Sequence, residues 1–126
     1  MIKMKYLLLL LLFWFPIVSK NSQKNEFTFQ NGKQKIVLSI VSGKNYLQWE
    51  EQSVLKLACE NIDPKKLSVT APGLSLVKGA DDNNESLWQL TPKRELIKSD
   101  TLKLKVWVKN TKKSSWKHTF EIVVRN

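Results

Sequence analysis

The side chains with the most chemistry in this sequence are few and far apart. His118 is the single histidine and Cys59 the single cysteine, so the usual soft ligands of a zinc cage are missing and no intramolecular disulfide can form. Ser114 and Ser115 stand just upstream of His118, but no acidic residue is placed to orient the imidazole. The third member of a hydrolytic triad is therefore absent, and His118 reads as a lone surface histidine. The densest oxygen cluster is Asp81-Asp82-Asn83-Asn84-Glu85, and its alternate acidic and amide residues resemble the opening of a calcium loop. Ser86 then occupies the position where an EF-hand turn needs glycine, and Pro92 the position where it needs glutamate. A solvated hairpin tip is the expectation there. No nucleophile elbow, metalloprotease helix, P-loop or dinucleotide fingerprint occurs. The expectation is a protein that is not an enzyme, with no catalytic residue, no metal and no cofactor.

Basic side chains interleaved with tryptophan form the remaining constellation. Lys103, Lys105, Trp107 and Lys109 recur at every second position, and Lys112, Lys113, Trp116 and Lys117 come after them. A tryptophan between lysines can stack on a sugar, a base or a lipid headgroup while the ammonium groups meet anions. Lysines at alternate positions also keep a sheet face soluble and guard a strand edge. The candidate binding residues are Lys103, Lys105, Trp107, Lys109 and Trp116. Lys and Arg number 21 against 11 Asp and Glu, a formal net charge of +10, which favours anionic partners in general. No RNA-recognition or zinc-finger signature accompanies it, so nucleic acid is not expected.

The elements that position these residues are strands. From Thr101 to Asn110, Leu102, Leu104, Val106 and Val108 fall on one side of a two-residue period and the lysines and Trp107 on the other. Phe120, Ile122 and Val124 repeat the rhythm, and the polar stretch from Asn110 to Lys117 reads as the hairpin loop between them. Upstream, Ile36, Leu38 and Ile40 form one apolar row and Leu55, Leu57 and Cys59 another, which makes Cys59 a buried filler rather than a reactive thiol. Asn61-Ile62-Asp63-Pro64 is a turn, Leu67 and Val69 a short strand, and Ala71-Pro72-Gly73 a type II-like turn. Leu74 to Val77 and Ser86 to Leu90 are further strands, while residues 93–100 show no periodicity and read as a loop or one helical turn. Trp49 and Trp88 belong to the core or its rim. About eight short strands with turn signals between them predict an all-β, immunoglobulin-like two-sheet sandwich over residues 27–126, with an up-and-down barrel as the structural alternative.

The N-terminus reads as a targeting segment. Lys3 and Lys5 precede an uncharged apolar run from Tyr6 to Val18, shorter than the roughly 20 residues a membrane-spanning helix needs. Residues 1–19 are therefore expected to be a signal peptide cut after Ser19, with an uncleaved anchor as the other reading. Loss of Lys3 and Lys5 lowers the net charge from +10 to +8. Residues 20–26 are polar and read as a flexible lead-in. The expected location is the periplasm or cell envelope, or outside the cell.

The segment Tyr46-Leu47-Gln48-Trp49-Glu50-Glu51-Gln52-Ser53-Val54-Leu55-Lys56-Leu57, followed by Ile62-Asp63-Pro64-Lys65-Lys66-Leu67-Ser68-Val69-Thr70, resembles the periplasmic β-domains of the gliding-motility GldM family. Leu87-Trp88-Gln89-Leu90-Thr91-Pro92 ahead of Thr101 to Val108 is similar to that family's later strands, and the likeness extends over residues 46–125. The resemblance implies one non-enzymatic β-domain of that type and an envelope protein as partner, in gliding motility or type IX secretion. Free strand edges would be the point of contact, through strand addition. An anionic glycan or lipid surface, met by the Lys/Trp face, is the alternative. Protein recovered from its host's envelope should have an intact mass lacking residues 1–19, to within a few residues. Retention of the apolar run would identify an anchor instead.

Overall fold

Alternation of apolar and polar side chains decides the architecture of residues 25–126, the part of the chain that the computed structural model describes. The expected signal segment 1–19 and most of the lead-in lie outside the described residues. Nine strands run through the rest: β1 (Glu26–Asn31), β2 (Gln34–Ile40), β3 (Tyr46–Gln48), β4 (Ser53–Glu60), β5 (Leu67–Thr70), β6 (Ser75–Lys78), β7 (Glu85–Leu90), β8 (Thr101–Lys109) and β9 (Ser115–Arg125). A 3-10 turn at Pro64–Lys66 leads into β5, capped by the Asp63 side chain, which accepts from the Lys65 N–H. Among the described residues no helix is long and apolar enough to cross a membrane.

The strands form two sheets, five-stranded in the order β1-β2-β4-β7-β6 and four-stranded in the order β3-β9-β8-β5. That order is not sequential, and each sheet ends in open edges, so the closed up-and-down barrel is excluded. Pairing is antiparallel except between β3 and β9, where Leu47 lies beside Val124 in a parallel ladder. In the first sheet Ile36 faces Cys59, Leu38 faces Leu57 and Ile40 faces Leu55. In the second, Leu102 faces Ile122 and Leu104 faces Phe120. These rows from both sheets meet in one apolar cluster, with Leu47 and Leu90 also buried within it. A one-residue slip in any of these registers would turn every leucine outward, which is why the pattern fixes them.

Polar groups close one end of this core. Gln34, at the start of β2, and Asn110, just after β8, exchange hydrogen bonds through their amides: Gln34 Nε2 donates to Asn110 Oδ1 at 2.7 Å, and Asn110 Nδ2 donates to Gln34 Oε1 at 2.9 Å. Trp116 Nε1 donates to the same Gln34 oxygen at 2.7 Å, and Gln34 Nε2 also reaches the Asn61 carbonyl. One side chain from the five-stranded sheet thus ties both hairpin strands of the other. Among the described residues no buried side-chain nitrogen or oxygen lacks a partner.

The short strand β3 is not expected from the sequence, β6 and β7 each lie one residue from their expected bounds, and two further boundaries differ. The hairpin loop expected from Asn110 to Lys117 is shorter, because β9 begins at Ser115, opposite Lys109. The inward positions there are Trp116 and His118 rather than aliphatics, so the alternation is present but carried by residues that read as polar or aromatic loop. The lead-in ends earlier than residue 26, because Glu26 already pairs with Ser39 and Asn25 Nδ2 bonds the Gly43 carbonyl at 2.6 Å. Replacing Gln34 with Ala strands four hydrogen-bonding groups and should cost about 1–3 kcal/mol, less than the about 2–5 kcal/mol expected for Leu104→Ala at the core's centre. Urea unfolding midpoints will rank them, and an unaffected Gln34→Ala midpoint would remove the clasp.

Candidate functional site

Strand β8 builds the candidate site because its two faces do different work. Leu102, Leu104, Val106 and Val108 are inside, at 1% exposure or less. Lys103, Lys105, Trp107 and Lys109 therefore share the outer face, all exposed. The neighbour across the hairpin adds Lys117 opposite Trp107, Thr119 opposite Lys105 and Glu121 opposite Lys103. Trp107 is 41% exposed; the Lys117 ammonium lies 4.7 Å and the Lys109 ammonium 6.0 Å from its ring centroid. Farther across the same sheet the Arg125 guanidinium lies 4.8 Å from the Tyr46 ring. A cation over an aromatic face is attracted by the ring's quadrupole, and the ring covers part of its surface.

Trp116 does not join this face. It lies opposite Val108 on the core side of the hairpin, packs at 5.4 Å from the Phe29 ring and gives its indole N–H to Gln34. Its tryptophan chemistry is spent on the clasp. Lys112 and Lys113 stay in the turn, where the Thr111 hydroxyl oxygen accepts from the Lys113 and Ser114 N–H groups. Of the five candidate binding residues, the structure brings together Lys103, Lys105, Trp107 and Lys109 and separates Trp116. Lys117, read in sequence as part of the following loop, joins this face from β9, as does Arg125, which the outward phase set by Phe120, Ile122 and Val124 could have placed here.

A cleft of about 500 Å³ opens beside the β8 face. Thr70 and Pro72 form one wall, Leu96 and Lys98 the other, and Lys103 and Lys105 project along it. The Leu96 wall belongs to a turn in which the Leu96 and Ile97 N–H groups both bond the Lys93 carbonyl, which settles residues 93–100 as loop with one tight turn. Ile97 is anchored in the core at 7% exposure, while Leu96 is left 53% exposed.

The remaining chemical residues have structural roles. Asp81 accepts the N–H groups of Asn83 at 2.9 Å and Glu85 at 3.0 Å; the Glu85 bond, foremost, holds its carboxyl below the usual range. The acidic loop is thus a hairpin tip organised by its own first carboxylate. Among the described residues no group of three or more His, Cys, Asp or Glu could hold a metal. Asn84, which opens the Asn-Glu-Ser sequon of N-glycosylation, takes a positive φ of 57° and donates Nδ2 to the Ile62 carbonyl at 2.7 Å. Cys59 is buried, and burial pushes its thiol up to about 11, so the nucleophilic thiolate is scarce at neutral pH.

His118 departs from the expectation of a plain surface residue. Its ring stacks on Phe29 at 3.8 Å and meets Phe120 edge-on at 4.6 Å. Burial among these rings disfavours the charged imidazolium and lowers its pKa from the ordinary 6.5. Ser114 sits in the turn with its N–H on Thr111, which does nothing for a nucleophile.

No family model, curated protein or solved structure matches the chain.

The depressed pKa of His118 links stability to pH. The unfolded chain takes up a proton below 6.5, whereas the folded imidazole resists it until lower pH. This contribution is complete above that value and is lost as pH falls through the window beneath it. Going from about pH 7.5 to about pH 5, the unfolding midpoint should therefore drop further in the parent protein than in His118→Phe. Equal drops would place the imidazole outside the linkage.

Proposed function

We propose that this domain is a non-enzymatic interaction module of the bacterial cell envelope, exported by its N-terminal segment, which binds another envelope protein. The resemblance to GldM-type β-domains suggests gliding motility or type IX secretion as its setting. The fold behind this reading is an immunoglobulin-like sandwich. Strands β2-β4-β7-β6 fit the A-B-E-D sheet and β9-β8-β5 the G-F-C sheet of that architecture, with β1 and β3 added at the margins. A scaffold of this kind offers broad faces and free edges for recognition rather than a preorganised reaction centre.

The observation that carries the proposal is the segregation of charge between the two outer faces. The four-stranded sheet presents Lys103, Lys105, Lys109, Lys117 and Arg125 against Glu121. The five-stranded sheet presents Lys35, Lys56 and Lys78 against Glu26, Glu60 and Glu85, an even balance, with Lys56 and Glu85 in an ion pair at 3.8 Å. Solubility alone calls for mixed signs on both faces; one-sided charge orients a partner and speeds its encounter. A second reading, an anionic glycan or lipid held by Lys103, Lys105, Trp107 and Lys109, is favoured by the exposed Trp107 ring with two ammonium groups close to it.

Reversing Lys103, Lys105 and Lys109 together to Glu should reduce stoichiometric capture of an envelope protein at least about tenfold while leaving the unfolding midpoint near that of the parent. Loss of binding to phosphatidylglycerol vesicles without loss of protein capture would favour the second reading. Undiminished binding in both assays would overturn both.

A further inference from the structure

Backbone geometry at the cleft identifies what kind of partner segment fits there. In an antiparallel ladder the N–H and C=O groups of successive residues point alternately to the two sides. The Val124 N–H bonds the Asp100 carbonyl at 2.8 Å, and register then gives the even-numbered residues of β8 to β9. The odd-numbered residues face the other way, toward β5. There Trp107 is matched by Ser68 and Lys105 by Thr70. The next position in that register, opposite Lys103, falls on Pro72.

Proline has no N–H to offer, and the chain turns away at this point. Leu74 closes a turn onto the Ala71 carbonyl at 3.2 Å, with Gly73 at a φ of +76°. The last odd-numbered residue, Thr101, is served locally: its N–H and carbonyl both meet the Ser99 hydroxyl, at 3.3 and 3.2 Å. Lys103 lies between these two arrangements, and its main-chain N–H and C=O find no backbone partner among the described residues. The cleft is therefore a vacant strand position in the four-stranded sheet, bounded by Pro72 and by the Leu96 turn.

We infer that this vacancy receives an extended, acidic peptide segment of a partner protein, which continues β5 by pairing with the main chain of Lys103. The inference rests on the protein-binding reading above and names its contact. Main-chain pairing supplies affinity in strand addition, and the alternate side-chain pockets supply selectivity. On the outer side the segment's carboxylates meet Lys98, Lys103 and Lys105, and an apolar side chain covers the exposed Leu96. A glycan or lipid headgroup can satisfy the ammonium groups, but it does not continue a strand ladder. The other hydrophobic edge, β6, exposes Leu76 and Val77, yet its register is broken between Leu76 and Lys78. A bulge of this kind blunts an edge against pairing.

The test uses an acetylated, amidated hexapeptide of alternating glutamate and valine, titrated into the isotope-labelled protein. The Lys103 amide should shift and its hydrogen exchange should slow at least about tenfold. An analogue methylated on its backbone nitrogens, and the Leu96→Asp protein, should each bind at least about tenfold more weakly. Leu96 is exposed, so that substitution leaves the core intact. Equal binding by the methylated analogue, or an unmoved Lys103 amide, overturns the inference, as does equal Lys103 protection by phosphatidylglycerol vesicles. If the peptide fails while envelope capture still responds to charge reversal, the edge assignment falls alone. If capture is insensitive as well, the interaction reading falls with it.

Discussion

A β-strand has one repeat for two properties, and in β8 that shared repeat governs both packing and pairing. Every second side chain turns to the same face, and the N–H and C=O of every second residue turn to the same side. Leu102, Leu104, Val106 and Val108 fill the core; the residues between them carry lysine and tryptophan outward. The same parity gives the main-chain N–H and C=O of the even-numbered residues to β9 and those of the odd-numbered residues to the β5 side. Core packing, the basic face and the open main chain at Lys103 are thus set by a single register. A slip of one residue would change all three together.

The rest of the molecule holds that register in place. Leu47 enters alongside Val124, and on the far side β5 pairs with β8 until Pro72 ends it. At one end the Gln34 amide joins the two sheets through Asn110 and Trp116. At the other, Trp49 carries the Arg94 guanidinium 4.6 Å from its ring, and its N–H bonds the Arg125 carbonyl at 2.9 Å. Apolar burial supplies the non-directional driving force, whereas these polar ends fix how the sheets sit against one another. A side chain such as Gln34 costs little where all its partners are present and much where one is missing.

Charge and main-chain vacancy then occur side by side. The cations of β8 are spread along an exposed face, where each interaction with a partner is weak and screened by salt. Beside them the sheet lacks one strand position, a feature that is directional and of fixed size. Long-range attraction and short-range pairing are different contributions to recognition, the first acting on encounter rate and the second on residence.

How much of this was legible beforehand varies by residue. The rows Ile36 to Ile40, Leu55 to Cys59, Leu102 to Val108 and Phe120 to Val124 could be read directly, because burial of one sheet face imposes a two-residue period on the sequence itself. The lysines between them came from the same phase, as did the turn at Ala71-Pro72-Gly73 from its own proline and glycine. The two sheets, their strand order, and the parallel contact of β3 with β9 come from pairings between distant segments, on which local patterning is silent. Trp116 and His118 look like polar hairpin residues in sequence; only the approach of Phe29 and Gln34 from another sheet turns them inward. The sequence alone therefore determined which face is dry in β2, β4, β8 and the second half of β9. Tertiary structure decided which strands are neighbours, and through Pro72 falling opposite Lys103 it decided where a neighbour is missing.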